Sequence, residues 1–160
     1  MEYYLQYDSP VGMLLLTCRD GALTGLWMDA SVPADALPGV NQPVLRSAKR
    51  WLEEYFRGNA TDIRDLQLAP RGTPFQTAVW QILCNIPCGE TRTYGSIARE
   101  MAVLLGKEKM SAQAVGQAVG KNPISIIIPC HRVVGTNGKL TGYAGGLEKK
   151  AWLLRHEGWR

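Results

Sequence analysis

No apolar run in the chain approaches the roughly 18 residues that a membrane-spanning helix needs. The first residues, "MEYYLQYDSP", lack the basic and apolar regions of a signal peptide, so a cytoplasmic or nucleic-acid-associated protein without a membrane partner is the default expectation. Cysteine is sparse: four residues, at positions 18, 84, 88 and 130, without the dense spacing that staples small secreted domains. Cys84 and Cys88 form a C-x3-C pair with no second pair nearby, and the two histidines, His131 and His156, both lie late in the chain. That pattern gives a zinc site weak support, and no metal is expected. Aspartate is missing altogether from residues 71–160.

That last absence is part of a charge asymmetry. Residues 1–70 hold six Lys/Arg against nine Asp/Glu, whereas residues 71–160 hold twelve against five, so the first half is −3 and the second +7. A half this basic suits a polyanion such as nucleic acid, although a solvated surface could carry the same charge. With 160 residues, 46% hydrophobic and 20% charged, the chain has the balance of an ordinary globular protein of one medium or two small domains.

Strand patterns open the chain. "YYLQY" and "GMLLLTC" alternate or cluster apolar residues, and "RDG" at 19–21 is a turn before "ALTGLWM". Residues 31–42 read as a loop rich in proline and glycine. Pro43 then starts a helix in which Val44, Leu45, Ala48, Leu52, Tyr55 and Phe56 share a face and Gly58 offers the stop. Residues 59–72 are a polar connection, which places a domain boundary between 1–72 and 73–160. "TPFQ" at 73–76 has the form of a capping box, Thr73 as N-cap and Gln76 three residues on, for a helix through Trp80 and Leu83.

Two short helices follow in the basic half. "TYGSIAREMAVLL" puts Ile97, Ala98, Met101, Leu104 and Leu105 on one face, and "SAQAVGQAVG" is built from small residues. The pair suggests a helix-turn-helix. Ala112, Ala114, Val115, Gly116 and Ala118 would let a backbone approach a groove, or would pack one helix tightly on another. A last helix, "LEKKAWLLRHEG", should bury Ala151, Trp152 and Leu154. Glu157 falls in its final turn, where the helix dipole disfavours an anion by about 0.3–1 kcal/mol. It needs a partner there.

The chemistry concentrates in "PISIIIPCHRVVGTNGKLTGYAGG". Ile124, Ile126, Ile127 and Ile128 read as a buried strand that Pro129 ends, with Cys130 and His131 directly after it. A thiol has a free pKa of about 8.5, and a nearby imidazole can take its proton. The two can cooperate only if Pro129 turns the chain, and Glu157 is the candidate to orient the imidazole. The residues alone leave an activated and an inert buried thiol equally open.

"IPCHRVVG", with upstream "GKNP" and downstream "GYAGGLEKKAWLLRHEG", closely resembles the O6-alkylguanine-DNA alkyltransferases, over essentially all of residues 73–160 and more loosely over 1–72. The resemblance implies an N-terminal α/β domain with a small antiparallel sheet of ribonuclease-H-like form, and a mainly helical C-terminal domain of winged helix-turn-helix type. It implies a monomer that binds duplex DNA containing O6-alkylguanine, with O4-alkylthymine a further candidate. The protein would transfer the alkyl group once and irreversibly to cysteine, without a cofactor. By position, Cys130 is then the acceptor, His131 a water-mediated base, Glu157 the end of the relay, and Tyr94 a proton donor that also crowds the target phosphate. Asn122 braces the turn before the acceptor, Val133 reads the guanine edge, and Val119, Tyr143 and Ala144 shape the pocket. Gln113, Ala114, Gly116 and Thr136 contact DNA.

Two positions depart from the family pattern. Gln113 stands where an arginine usually fills the gap left by a flipped base, and the Tyr94–Gln113 stretch is about five residues longer, carrying Lys107 and Lys109. Three other readings compete: a non-enzymatic binder that flags alkylated DNA, which would lack Cys130; a regulator fused to a metal-binding module, which 160 residues do not include; and a turnover hydrolase using Cys, His and Glu.

Overall fold

A computed structural model describes residues 1–59 and 61–159. The chain forms two compact units, Met1–Arg71 with Pro123–Ile127, and Gly72–Asn122 with Ile128–Arg160.

In the first unit, β1 (Glu2–Ser9), β2 (Gly12–Arg19) and β3 (Ala22–Met28) form an antiparallel meander. The β2–β3 hairpin closes on Asp20 and Gly21, both at positive φ (51° and 78°), the backbone that a tight two-residue hairpin requires. The 31–42 loop contributes a two-residue strand, β4 (Leu37–Pro38), parallel to β1, giving the order β3-β2-β1-β4. Helix α1 (Pro43–Phe56) begins at its proline and buries Val44, Leu45, Ala48, Trp51, Leu52 and Tyr55. With Leu14, Leu16, Leu23 and Leu26 they form the core. The outer edge of β3 is not left open. Leu23 exchanges hydrogen bonds with Gln67 and Ala69, and Leu26 does so with Pro123 and Ser125.

In the second unit, α2 (Pro74–Cys84) carries both halves of its capping box: Gln76 N–H donates to Thr73 Oγ1 at 3.1 Å, and Thr73 N–H to Gln76 Oε1 at 2.9 Å. Helices α3 (Tyr94–Leu104) and α4 (Ala112–Gly120) make the helix-turn-helix. Buried Trp80 ties α2 to α4 by donating from Nε1 to Ala118 O at 2.8 Å. Strands β5 (Arg92–Thr93) and β6 (Val133–Val134) form a short parallel ladder, and α5 (Leu147–His156) closes the unit.

Three expectations need correction. The isoleucine run is buried, but it is not a strand: it pairs only through a single bridge of Ile124 with Leu26 and then folds into consecutive tight turns. Prolines at 123 and 129 remove ladder donors at both ends, and Asn122 supplies a side chain that competes for backbone carbonyls. Leu104 and Leu105 are 62% and 46% exposed, because the helix ends there and Gly106 (φ 66°) turns the chain away; Ala102 takes the buried place instead. In α5 the buried residues are Lys150, Leu153 and Leu154, while Ala151 and Trp152 are half-buried.

Candidate active site and nucleic-acid interface

Pro129 does turn the chain. Its φ of −81° and ψ of 65°, with Cys130 N–H donating to Ile128 O at 2.7 Å, make an inverse γ-turn. A single 3-10 turn, Cys130–Arg132, follows and leads into β6, which lies beside β5 and so beside Tyr94 at the start of α3. The sequence thus brings thiol, imidazole and phenol into one unit.

His131 is fully buried, and its Nε2 lies 2.6 Å from Glu157 Oε2. The carboxylate can only accept, so Nε2 carries the proton and Nδ1 presents a lone pair. Nδ1 is buried without a protein partner among the described residues. Arg132 completes the cluster: its Nε donates to Glu157 Oε1 at 2.7 Å, Nη2 to Oε2 at 3.1 Å and Nη1 to Ile86 O at 2.6 Å. Burial alone would raise the Glu157 pKa, but the bonds and charges of His131 and Arg132 outweigh it and hold the carboxyl well below the usual range. Burial likewise pushes His131 down, against the pull of Glu157, so the imidazole is neutral and able to accept a proton.

Cys130 is buried, which pushes its thiol up. Four things oppose that: a hydrogen bond from the Asn122 side chain, the charge of Lys150, and the backbone N–H groups of Cys130 and His131. Asn122 also donates from Nδ2 to Ile128 O at 2.9 Å, so one amide braces both the turn and the sulfur. Lys150 is fully buried; its Nζ donates to Thr141 O at 2.7 Å and Gly142 O at 3.2 Å and stands 5.8 Å from the Tyr94 ring centre. Burial lowers its pKa to about 8, with Cys130 pulling the other way. The Tyr94 hydroxyl donates to the same Thr141 carbonyl at 3.1 Å, and burial raises its pKa. Glu157, Arg132 and Lys150 together leave one positive charge, which a Cys130 thiolate would balance.

A groove of about 570 Å³ is lined by Tyr94, Gly95, Ala112, Gln113, Gly116, Gln117, Gly135 and Thr136. The two sides of α4 explain its small residues: Val115 and Ala118 are buried while Ala112, Gln113 and Gln117 are exposed. A Cβ at Gly116 would meet the Tyr94 ring at 3.7 Å, an ordinary van der Waals contact, so an alanine would fit beside the ring. Ala114 is half-buried and not in the groove lining. Val119 and Val133 are buried, Tyr143 is half-buried and Ala144 exposed, on a turn closed by Gly146 N–H to Tyr143 O at 3.0 Å.

Sequence reasoning assigned no role to Arg132 or Lys150. A signal for Lys150 existed: positions 150, 153, 154 and 157 fall on one helix face, so a lysine shares its stripe with buried leucines and Glu157.

The family described as 6-O-methylguanine DNA methyltransferase matches twice: its ribonuclease-like domain over residues 2–70 and its DNA-binding domain over residues 74–159. The methylated-DNA–protein-cysteine methyltransferase of Methanosarcina barkeri is 48% identical over 160 residues, covering 97% of this chain and 96% of that protein. A crystal structure of Mycobacterium tuberculosis OGT in complex with DNA superposes with a TM-score of 0.84 at 43% identity, covering 97% of this chain and 92% of that one. The Mycobacterium tuberculosis O6-methylguanine methyltransferase gives 0.83 at 43% identity, covering 98% and 93%. The chain belongs to the O6-methylguanine DNA methyltransferase family.

Proposed function

We propose that this protein repairs duplex DNA by moving the alkyl group of O6-alkylguanine to Cys130, once per molecule. The Sγ–carbon bond forms as the carbon–O6 bond breaks, and the electron pair of that bond stays with the guanine. The thiol proton passes through a bridging water to His131 Nδ1, and Glu157 and Arg132 hold the resulting imidazolium. Tyr94 supplies the proton that neutralises the departing base. The observation that carries this reading is the buried, bare Nδ1 of an imidazole whose other nitrogen is fixed on a carboxylate, in the residue that follows a buried cysteine.

The groove over α4 suits a nucleic-acid backbone, and a flipped base would enter past Tyr94. Guanine-edge contacts from Val133, a pocket shaped by Val119, Tyr143 and Ala144, and DNA contacts from Ala114 and Thr136 belong to the same reading, as does a monomer acting where DNA is held. Among the described residues no helix is long and apolar enough to cross a membrane. Titration against O6-methylguanine duplex, followed by mass spectrometry, tests the proposal. One methyl group per chain on Cys130 is expected; repeated turnover, or label on Cys18, Cys84 or Cys88, would overturn it.

Gln113 adds a graded expectation. It is exposed in the groove, and its amide can donate to a base edge but carries no charge and is shorter than arginine. Gln113→Arg should speed reaction with duplex O6-methylguanine several-fold and leave the rate with free O6-benzylguanine unchanged. Lys107 and Lys109, in the exposed connection before α4, should steepen the salt dependence of binding. Equal rate changes on both substrates would mean that Gln113 does not occupy the place of an extruded base.

A further inference from the structure

The connection between α2 and β5 touches the Arg132–Glu157 pair at successive residues, all of them in the second unit. Ile86 O accepts from Arg132 Nη1 at 2.6 Å, and a hydrogen bond from Arg132 reaches the Cys88 sulfur. Glu90 N–H donates to Pro87 O at 3.1 Å with Gly89 at φ 87°, so Pro87–Glu90 form a turn of type II. The third position of that turn calls for positive φ, which favours glycine. Gly89 answers a second demand as well. A Cβ there would stand 3.1 Å from Glu157 O, tighter than ordinary van der Waals contact, and the obstructing atom is backbone rather than a flexible side chain. Gly58 makes the contrast: its φ is 90°, but a Cβ there would meet nothing within 4 Å, so conformation alone accounts for it.

The end of α5 has little freedom to retreat from such a Cβ without disturbing the site. Glu157 Oε2 lies 2.6 Å from His131 Nε2 and accepts from Arg132 Nη2 at 3.1 Å, while Oε1 accepts from Arg132 Nε at 2.7 Å. His131 and Arg132 sit on the same 3-10 turn as Cys130. The spacing between the 86–89 segment and Glu157 therefore sets how the carboxylate meets the imidazole. Burial lowers the His131 pKa and Glu157 opposes it, so a carboxylate drawn back would leave a weaker proton acceptor. His131 and Arg132 are the charged or titratable groups bonded to that carboxylate, and Cys88 also feels its charge.

We propose that Gly89 is a positioning residue for alkyl transfer: with Ile86 O it seats the Arg132–Glu157 pair so that the carboxylate holds His131 Nε2, and the ring presents Nδ1 to the thiol proton. The inference rests on His131 acting as base for Cys130. The turn after α2 then does more than join two elements: it sets how firmly the imidazole is held.

The test compares Gly89→Ala and Gly89→Asn with Gly58→Ala in the full chain. Asparagine is the residue besides glycine that this turn position accepts, so it adds the Cβ with the least backbone strain and keeps a folded variant in hand. Gly58→Ala is the control, since it strains a positive φ and meets nothing. Two readouts are taken below the melting temperature of each variant. One is the magnetic resonance of the His131 Nε2 proton in protein with isotopically labelled histidine, which reports its bond to Glu157. The other is the single-turnover rate on O6-methylguanine duplex across pH. Misplacement by about 1 Å can cost on the order of 100-fold, so a shift of a few tenths should slow both Gly89 variants by about threefold to tenfold near neutral pH. Their Nε2 proton should move upfield and the rising limb of their rate profile to higher pH. Gly58→Ala should melt earlier and leave both readouts at wild type. A Gly89 variant with a lowered melting temperature but an unchanged resonance and profile would overturn the proposal and leave the turn a structural tie. A slower rate with an unmoved resonance would overturn it too. If the wild type places no methyl group on Cys130, the acceptor assignment fails instead, and the resonance still decides whether Gly89 seats Glu157.

Discussion

Glu157→Gln is expected to slow alkyl transfer by about 100-fold, in keeping with the loss of one positioned proton acceptor or its support. The glutamine amide can still accept from Arg132 or His131, but it cannot stabilise an imidazolium by charge. Stability should fall too. The Glu157 side chain is 1% exposed and the Arg132 side chain 12%, so the substitution strands a largely buried guanidinium. Breaking such a pair costs about 3–5 kcal/mol, and the lower end applies because Arg132 keeps Ile86 O and some access to water. For a chain this long that corresponds to a melting point lower by about 6–12 °C.

The pH dependence has a definite sign. His131 is held below its ordinary value, so the unfolded chain binds a proton that the folded one refuses; stability therefore falls as pH drops below about 6.5. Glu157 is also held low, and its contribution is complete above the unfolded carboxyl value of about 4.3 and lost as pH falls below it. The variant should lose the second of these acid-side declines. Thermal melts from neutral to acid pH, with single-turnover rates on O6-methylguanine duplex, check both claims. A wild-type rate across neutral pH would remove Glu157 from the relay.

Much of the arrangement was legible because local chemistry dictates it. Thr73 and Gln76 announce a helix start, Asp20-Gly21 a hairpin, and Pro43 and Gly58 the limits of α1, since each acts on its immediate backbone. Glu157 was legible for a different reason: an anion at a helix C-terminus is out of place, and His131 and Arg132 are what it faces. What stayed hidden depends on tertiary partners. Four apolar residues between two prolines look like a strand until Leu26 and Asn122 claim their backbone groups. Leu104 and Leu105 carry the helical period past the point where there is anything to pack against. Lys150 shares its helix stripe with buried leucines, but nothing in its neighbours along the chain reveals that carbonyls of Thr141 and Gly142 will satisfy it.

Lys150→Met should stabilise the protein and slow its reaction, two effects of opposite value from one change. The ammonium is fully buried, bonded to neutral carbonyls, and has no carboxylate partner among the described residues. An apolar side chain of similar length removes the cost of keeping a cation out of water, so the melting temperature should hold or rise. Thr141 O keeps the Tyr94 hydroxyl as donor, so the loss at the carbonyls is partial. The thiol loses the cation that opposes its burial, so its thiolate fraction near neutral pH should drop, and transfer with it, by about tenfold or more. The shape of the pH profile separates this from a packing effect. In the wild type Lys150 itself gives up its proton at about 8, so its help fades as the thiol ionises and the rate should flatten above that pH. In the methionine variant the rate should start lower and climb steadily through the same range. A melting temperature that falls while the rate and its profile stay wild-type would show that Lys150 only ties down residues 141–142. A rise in stability with a slower, steeper profile would establish that the fold carries a buried cation at its own expense to keep Cys130 reactive.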